Sequence, residues 1–481
     1  MPCTTILVGN KASYDGSTII ARNDDGGFEP KKMVVNKANQ PSKYKCVISH
    51  LEIELPKKSY KYTSVPNINK EHGLWSACGI NEKNVAMTAT ETITSNPLVK
   101  GADPLVCYEK NGKKVKVGGI GEEDLITIVL PYIKTAREGV IRTGELLEKY
   151  GTYEMNGMAF ADEKEIWWLE TIGGHHFIAV RIPDDRVVMM PNSFGLDFFD
   201  LNDAFTKQKN SICSKDLKEF IKKNHLNINN KDNKFNPKLI FGSHSDQDHI
   251  YNTPRAWYML RYFNPTTYDW INNPPYTPTS DNIPFSTVPE RKVTIEDVKY
   301  VLSSHYQATE YDPYSKSDKA GKYRVIGVPN SDDAGILQIR PYMPNALKGI
   351  EWMSLGGSGF TACIPQYVNV DKFSPYLSAT TKEVNTNNFY WHSRLIAALV
   401  DAQFNKAVIF DERYQNTVLN ESYRILDEYD NKMLKAKKYD LCAEANEKIV
   451  EMLKKESNKV LDSVLKTASE GMKTRYHRGD N

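Results

Sequence analysis

The chain has 481 residues, 40% of them hydrophobic and 11% aromatic, which is ample for a large core. Its formal net charge is +2, with both signs spread along the chain, so no basic face for nucleic acid is implied. There is no apolar run of about 18 residues to span a membrane and no basic stretch leading into a signal-peptide core, so a cytoplasmic protein is expected.

Residues 3–9 and 17–22 read as strands rich in Ile, Val, Leu and Thr, joined by a turn at Asp15-Gly16. Such a hairpin brings its far ends together, placing Cys3 near Arg22 and Asp25. A second hairpin pattern runs from Gly73 to Ile80 and from Val85 to Thr92, and it delivers Glu91 to its end. Residues 122–150 carry Leu125, Ile128, Val129 and Ile133 at helical spacing, then Leu146, Leu147 and Tyr150 after a break. Four strands follow: Gly157–Ala161, Ile166–Thr171, Phe177–Ile182 and Val187–Met190.

A short amphipathic helix is expected over Ser214–Asn224, and a long proline-containing loop over 265–289. Thr294 and Asp297 have the spacing of a capping box opening a helix. Strands return at Tyr323–Val328, at Gly335–Arg340 and around Trp352 and Phe360. From about Trp391 the pattern turns helical, with Leu395, Leu399, Leu426, Met433, Ile449 and Leu453 on apolar stripes. These helices suit a scaffold or a contact within a homo-oligomer. Strands, helices, strands and helices in that order suggest antiparallel sheets covered by helices.

The seven cysteines, Cys3, Cys46, Cys78, Cys107, Cys213, Cys363 and Cys442, are scattered without a Cys-x-x-Cys pair. That spacing speaks against a disulfide framework or a structural zinc site. Cys3 alone stands beside an arginine and a carboxylate. If Met1 and Pro2 were removed, it would carry its own α-amine, whose reference pKa of about 7.7–8.0 lies close to that of the thiol at about 8.5. A matched base would then be tethered to the nucleophile. Arg22 would favour the thiolate, and Asp25 would hold the amine or thiol.

Two histidine-containing groups compete as metal sites, and a third suggests a pocket. His244-Ser-Asp246-Gln-Asp248-His249 lacks the i, i+4 helical pair of a zinc protease. His175 and His176, adjacent in a strand, would point to opposite faces. His305-Tyr306 with Glu310-Tyr311-Asp312 suits a pocket wall. A structural role is expected for each, with no metal and no cofactor. No Gly-x-Ser-x-Gly elbow, dinucleotide fingerprint or P-loop is present.

The opening Cys-Thr-Thr-Ile-Leu-Val-Gly, with Asp-Gly-Ser and Ala-Arg-Asn-Asp-Asp, resembles that of the PepD-type dipeptidases, thiol peptidases of the N-terminal-nucleophile (Ntn) hydrolase superfamily. Gly79–Thr92, Trp167-Trp-Leu-Glu-Thr-Ile-Gly-Gly-His175, Tyr251-Asn-Thr-Pro-Arg255-Ala-Trp257, Ser304-His-Tyr306 and Ile336-Leu-Gln338-Ile-Arg340 continue the likeness over about the first 400 residues. The resemblance implies an α+β fold, the αββα four-layer Ntn sandwich, across residues 1–400, with 401–481 as a helical C-terminal extension. It also implies hydrolysis of dipeptides to free amino acids.

Penicillin V acylases and bile-salt hydrolases are similar at the opening but more distant. By that likeness Arg22, Asn23 and Asp25 form the cluster around the nucleophile. Asn192 in Val188-Met-Met-Pro-Asn192 is then the oxyanion asparagine, and Arg255 the later active-site arginine. Where the acylases carry an asparagine this chain has Glu91, a carboxylate suited to a substrate ammonium; Asn23 is its companion in substrate binding. Two other readings stay open: an N-acyl amide hydrolase, and a catalytically silent Ntn-fold binding protein that keeps Met1 and Pro2.

Overall fold

The computed structural model describes residues 3–89, 91–107, 109–110, 113–114, 118–227 and 235–472, with backbone alone for residues 91, 109–110 and 113–114. The first hairpin pairs Thr4–Val8 with Thr18–Asp24, in a register that sets Thr4 opposite Asn23 and Val8 opposite Ile19. Its turn needs the positive φ of Gly16, 84°, and the Asp15 carboxylate accepts from the Ser17 N–H at 3.0 Å. Every residue of both strands is buried, as expected for apolar strands covered on both faces. The pair lies at the centre of an antiparallel sheet ordered Ser286–Thr287, Val187–Met190, Thr4–Val8, Thr18–Asp24, Asp333–Ile339, Gly349–Leu355, Ile364–Tyr367.

A second antiparallel sheet runs Ser211–Cys213, Phe177–Arg181, Ile166–Thr171, Asn156–Ala161, Ala86–Thr88, Cys78–Ile80, with Glu91–Thr92 also pairing to Asn156–Ala161. Its side chains alternate strictly, as a pleated strand requires. Met158, Phe160, Trp167 and Leu169 join a core with the helices Glu122–Val129 and Ala136–Tyr150. Ala159, Ala161, Trp168 and Ile178 instead join Ile6, Ile19 and Ala21 of the first sheet. The sheets meet so closely that a Cβ on Gly335 would stand 2.6 Å from the Cys78 sulfur.

The helices Ile295–Leu302, Phe389–Ala402, Phe404–Ala436 and Cys442–Glu470 add Val298, Ile396, Ile425 and Ile449 to the core that contains the first sheet. Asp430 pairs with Arg340 at 2.5 Å, and the Asn446 amide exchanges two hydrogen bonds with the Tyr367 backbone, at 2.8 and 3.0 Å. The long helices thereby cap an edge strand.

The break expected within 122–150 falls at a 3₁₀ turn, Leu130–Tyr132, containing Pro131; Thr135 then caps the next helix through the Glu138 N–H. The Thr294–Asp297 capping box is present. Tyr323–Val328, however, is not a strand. Its backbone serves other partners: the Ile326 carbonyl accepts from Asn23 Nδ2 at 3.0 Å and Gly327 N–H donates to the Ser304 carbonyl at 2.8 Å. Phe360 lies in a 3₁₀ turn, and the strand begins after it, at Ile364.

Burial pushes the carboxyls of Glu154, Glu170, Asp332, Glu351 and Asp411 up to about 7. The folded chain then holds protons that the unfolded chain loses near pH 4, so this stabilisation is present below pH 4 and disappears as pH rises through 7. Glu170 accepts from Trp168 Nε1 at 3.0 Å and from the Gly195 N–H at 2.8 Å. Its rise from 4.5 to about 7 corresponds to about 3 kcal/mol. Urea unfolding between pH 5 and 8 is expected to show stability falling with pH, with a shallower slope in Glu170→Gln. An unchanged slope would remove Glu170 as a contributor.

Candidate active site

Alternation along Thr18–Asp24 places Arg22 and Asp24 on one face and Asn23 on the other. Arg22 and Asp24 therefore converge on Cys3, which is fully buried. Arg22 NH2 lies 2.9 Å from the Cys3 sulfur, 2.8 Å from Glu122 Oε1 and 3.4 Å from Asp24 Oδ1. Asp24 Oδ1 is 3.7 Å from that sulfur, and Asp24 Oδ2 is 2.8 Å from the buried Lys31 ammonium. Burial opposes the Asp24 charge, but Lys31 and Arg22 hold its pKa at about 2. Burial also opposes the Arg22 charge, yet Cys3, Asp24 and Glu122 hold its proton more firmly than usual.

The Asp25 carboxylate pairs with Arg324, and burial still raises its pKa. Asn23 braces the hairpin: its Oδ1 accepts from Thr4 N–H at 2.7 Å, and its Nδ2 donates to the carbonyls of Ile326 and Leu302. The Glu91 side chain lies outside the described residues; its backbone pairs with Gly157.

Asn192 follows the strand Val187–Met190, which pairs with Thr4–Val8 on the side away from Arg22. Its Oδ1 accepts from Cys3 N–H at 3.0 Å and from Arg255 NH2 at 2.7 Å, while its Nδ2 donates to the Thr92 carbonyl at 3.0 Å. Arg255, on the first turn of the helix Thr253–Phe263, is fully buried. It also donates to the Cys3 carbonyl, to Thr4 Oγ1 at 2.8 Å, and to Asn252 Oδ1 at 2.8 Å. Asn252 Nδ2 in turn donates to Asp248 at 2.6 Å.

Cys3 is thus gripped at its nitrogen by Asn192, at its carbonyl by Arg255 and at its sulfur by Arg22. Asn192 and Asn252 also line a cavity of about 620 Å³ with Thr92, Asn96, Lys100 and His244. Asp24, Lys31, Glu122 and Arg324 were not anticipated. Only Asp24 left a local signal, since two residues from Arg22 in a strand means the same face.

The histidines have other partners. His175 and His176 share Asp103 at 3.0 and 2.7 Å; His249 meets Asp281 at 2.9 Å, and His305 meets Asp312 at 2.9 Å. Among the described residues no group of three or more His, Cys, Asp or Glu is arranged to hold a metal ion.

Residues 2–417 match the profile of Peptidase family C69. A dipeptidase of Bifidobacterium longum (strain NCC 2705) is 48% identical over the whole of both chains. A probable dipeptidase A of Streptococcus pyogenes serotype M3 is 45% identical, again over the whole of both. A probable dipeptidase B of Lactococcus lactis subsp. lactis is 42% identical over 99% of this chain and 98% of its own.

Proposed function

The chain belongs to Peptidase family C69, and from that premise we propose a dipeptidase that works through an acyl-enzyme on Cys3, within an Ntn αββα sandwich. The order of helices, sheet, sheet and helices supports that fold. On this reading residues 1–400 form the catalytic unit, and the helices of 401–481 buttress it. Among the described residues no helix is long and apolar enough to cross a membrane; a cytoplasmic location belongs to the same proposal.

The observation that carries the mechanism is the double grip on Cys3, sulfur to Arg22 and nitrogen to Asn192. Once Met1 and Pro2 are removed, that nitrogen is an α-amine beside its own thiol. The amine accepts the thiol proton, and the resulting thiolate attacks the peptide carbonyl. It then gives that proton to the leaving amine as the C–N bond breaks. Water, deprotonated by the same amine, attacks the thioester; the C–S bond breaks, the amine returns the proton to the sulfur, and the acyl group leaves as the second amino acid. Arg22 stabilises the thiolate before attack. Asn192 is the proposed oxyanion donor, with a backbone N–H; losing such a donor typically costs about 3–4 kcal/mol. Asp25 is assigned to hold Arg324, and Arg255 to position Cys3 and Asn192. The scheme uses no metal.

Glu91 precedes Thr92, which lines the cavity. We assign Glu91 to the substrate's α-ammonium, a group that N-acyl amides lack. The purified chain should start at Cys3 by intact mass and turn over dipeptides faster than N-acyl amides. Glu91→Gln should raise KM for dipeptides about 10- to 100-fold, the worth of one charge-assisted hydrogen bond, without slowing Cys3 alkylation. A stable Pro2 start with no turnover would point to the silent binding protein. A preference for N-acyl amides would point to the amidase.

A further inference from the structure

Glu122 is one of the anionic neighbours of Arg22, contributed by the helix Glu122–Val129 rather than by the hairpin. A single guanidinium nitrogen, NH2, faces the Cys3 sulfur, Asp24 Oδ1 and Glu122 Oε1 at 2.9, 3.4 and 2.8 Å. It has two hydrogens for three acceptors, so these contacts compete. Glu122 is 3% exposed, which leaves its charge little solvent screening.

The groups around Glu122 come from several elements. The hairpin supplies Arg22, Cys3 and Asp24, with Lys31 behind Asp24. Glu154 precedes the strand Asn156–Ala161, and its Oε1 accepts from the Glu122 N–H at 2.6 Å. Tyr153 donates to Glu123 at 2.5 Å, and Tyr44 to Asp124 at 2.7 Å. Cys46 packs against Asp124. Burial, reinforced by Asp124, pushes the Glu123 carboxyl up to about 9, and burial with Glu122 pushes Glu154 up to about 7. Of the carboxyls in this group outside the hairpin, Glu122 is the one bonded directly to Arg22.

We propose that Glu122 is a positioning residue that shares Arg22 with the Cys3 thiolate and so sets the pH at which Cys3 becomes nucleophilic. The proposal rests on Cys3 being the nucleophile. With Glu122 on the same nitrogen, only part of the Arg22 charge serves the sulfur. The thiol then keeps a proton affinity near that of the α-amine that must exchange protons with it. Without that competing charge the thiolate forms at lower pH and is a weaker nucleophile.

The test is iodoacetamide alkylation of Cys3 in the processed full chain, followed by mass spectrometry across pH 5–9. Glu122→Gln keeps an oxygen for Arg22 and removes the charge. Its alkylation midpoint should fall by about one pH unit, and the acid limb of kcat/KM should move the same way, as expected for losing one nearby like charge. A purely structural role would lower stability and leave the midpoint in place, which would overturn the proposal. Should that variant fail to fold, Glu122→Asp shortens the carboxylate by one methylene and weakens its hold on Arg22. It should shift the midpoint the same way by less, and an unmoved midpoint there is equally fatal. A wild-type chain that keeps full turnover after complete Cys3 alkylation would remove the nucleophile reading, and this proposal with it.

Discussion

Cys3→Ala is expected to lower kcat for dipeptide hydrolysis on the order of 10⁶-fold, the loss seen when a covalent nucleophile is removed and only binding and oxyanion contacts remain. Alanine keeps the backbone that Asn192 and Arg255 grip, so the thermal midpoint should move little, and the lost rate reports chemistry rather than folding. Cys3→Ser should fall between the two: a hydroxyl beside Arg22 ionises far less readily than a thiol. The other cysteines are poor substitutes. Burial pushes the thiols of Cys213, Cys363 and Cys442 up to about 12, 11 and 11. Cys46 and Cys78 are raised as well, both beside carboxylates. At neutral pH all five stay protonated, whereas Cys3 faces a guanidinium. Cys107 is exposed, so labelling is best done in a Cys107→Ser background. Loss of activity should then track one modified sulfur per chain. A Cys3→Ala protein with more than about a hundredth of wild-type kcat would rule out the acyl-enzyme, because no other step supplies a loss of 10⁶.

The hairpin was legible because local signals agreed: two runs of Ile, Val and Thr, and a turn that needs glycine. Period-two alternation also contained a fact that adjacency hid. In Arg22-Asn-Asp-Asp25 the residue sharing a face with Arg22 is Asp24, so Asp24 reaches the thiol while Asp25 meets Arg324. What stayed hidden were partners from far along the chain. Glu122 is 100 residues from Arg22, and Arg324 is 299 from Asp25. A charged residue carries no sequence mark of which distant charge it will meet. Tyr323–Val328 had the composition of a strand, but a strand also needs a neighbour with free backbone groups. Here Asn23 and Ser304 take that backbone instead. The alternation of Met158, Ala159, Phe160 and Ala161 was visible as apolar sequence throughout. That its two faces serve different cores became plain only when both sheets were in place.

Arg255→Lys is the second large effect expected, and it separates geometry from charge. Arg255 spreads three nitrogens over five acceptors: Nε to the Tyr251 carbonyl at 2.6 Å, NH1 to the Cys3 carbonyl and Thr4 Oγ1, NH2 to Asn192 and Asn252. Lysine keeps the positive charge near Asp25, whose acidity Arg255 influences. It offers three donors from one point and cannot span that fork. At least two buried acceptors should lose their partner, at about 1–3 kcal/mol each. Urea unfolding should therefore show a loss of about 2–5 kcal/mol. Activity should fall further than stability accounts for. Asn192 Oδ1 positions the Cys3 nitrogen, and a reacting group displaced by about 1 Å can cost on the order of 10² in rate. The loss should appear in kcat, with KM for dipeptides moving little, because Arg255 contacts the nucleophile's backbone and the proposed oxyanion donor. A folded Arg255→Lys enzyme with wild-type kcat would show that charge alone suffices at this position. Asn192 would then be held well enough by other bonds, those to Thr92 and Asn252 among them.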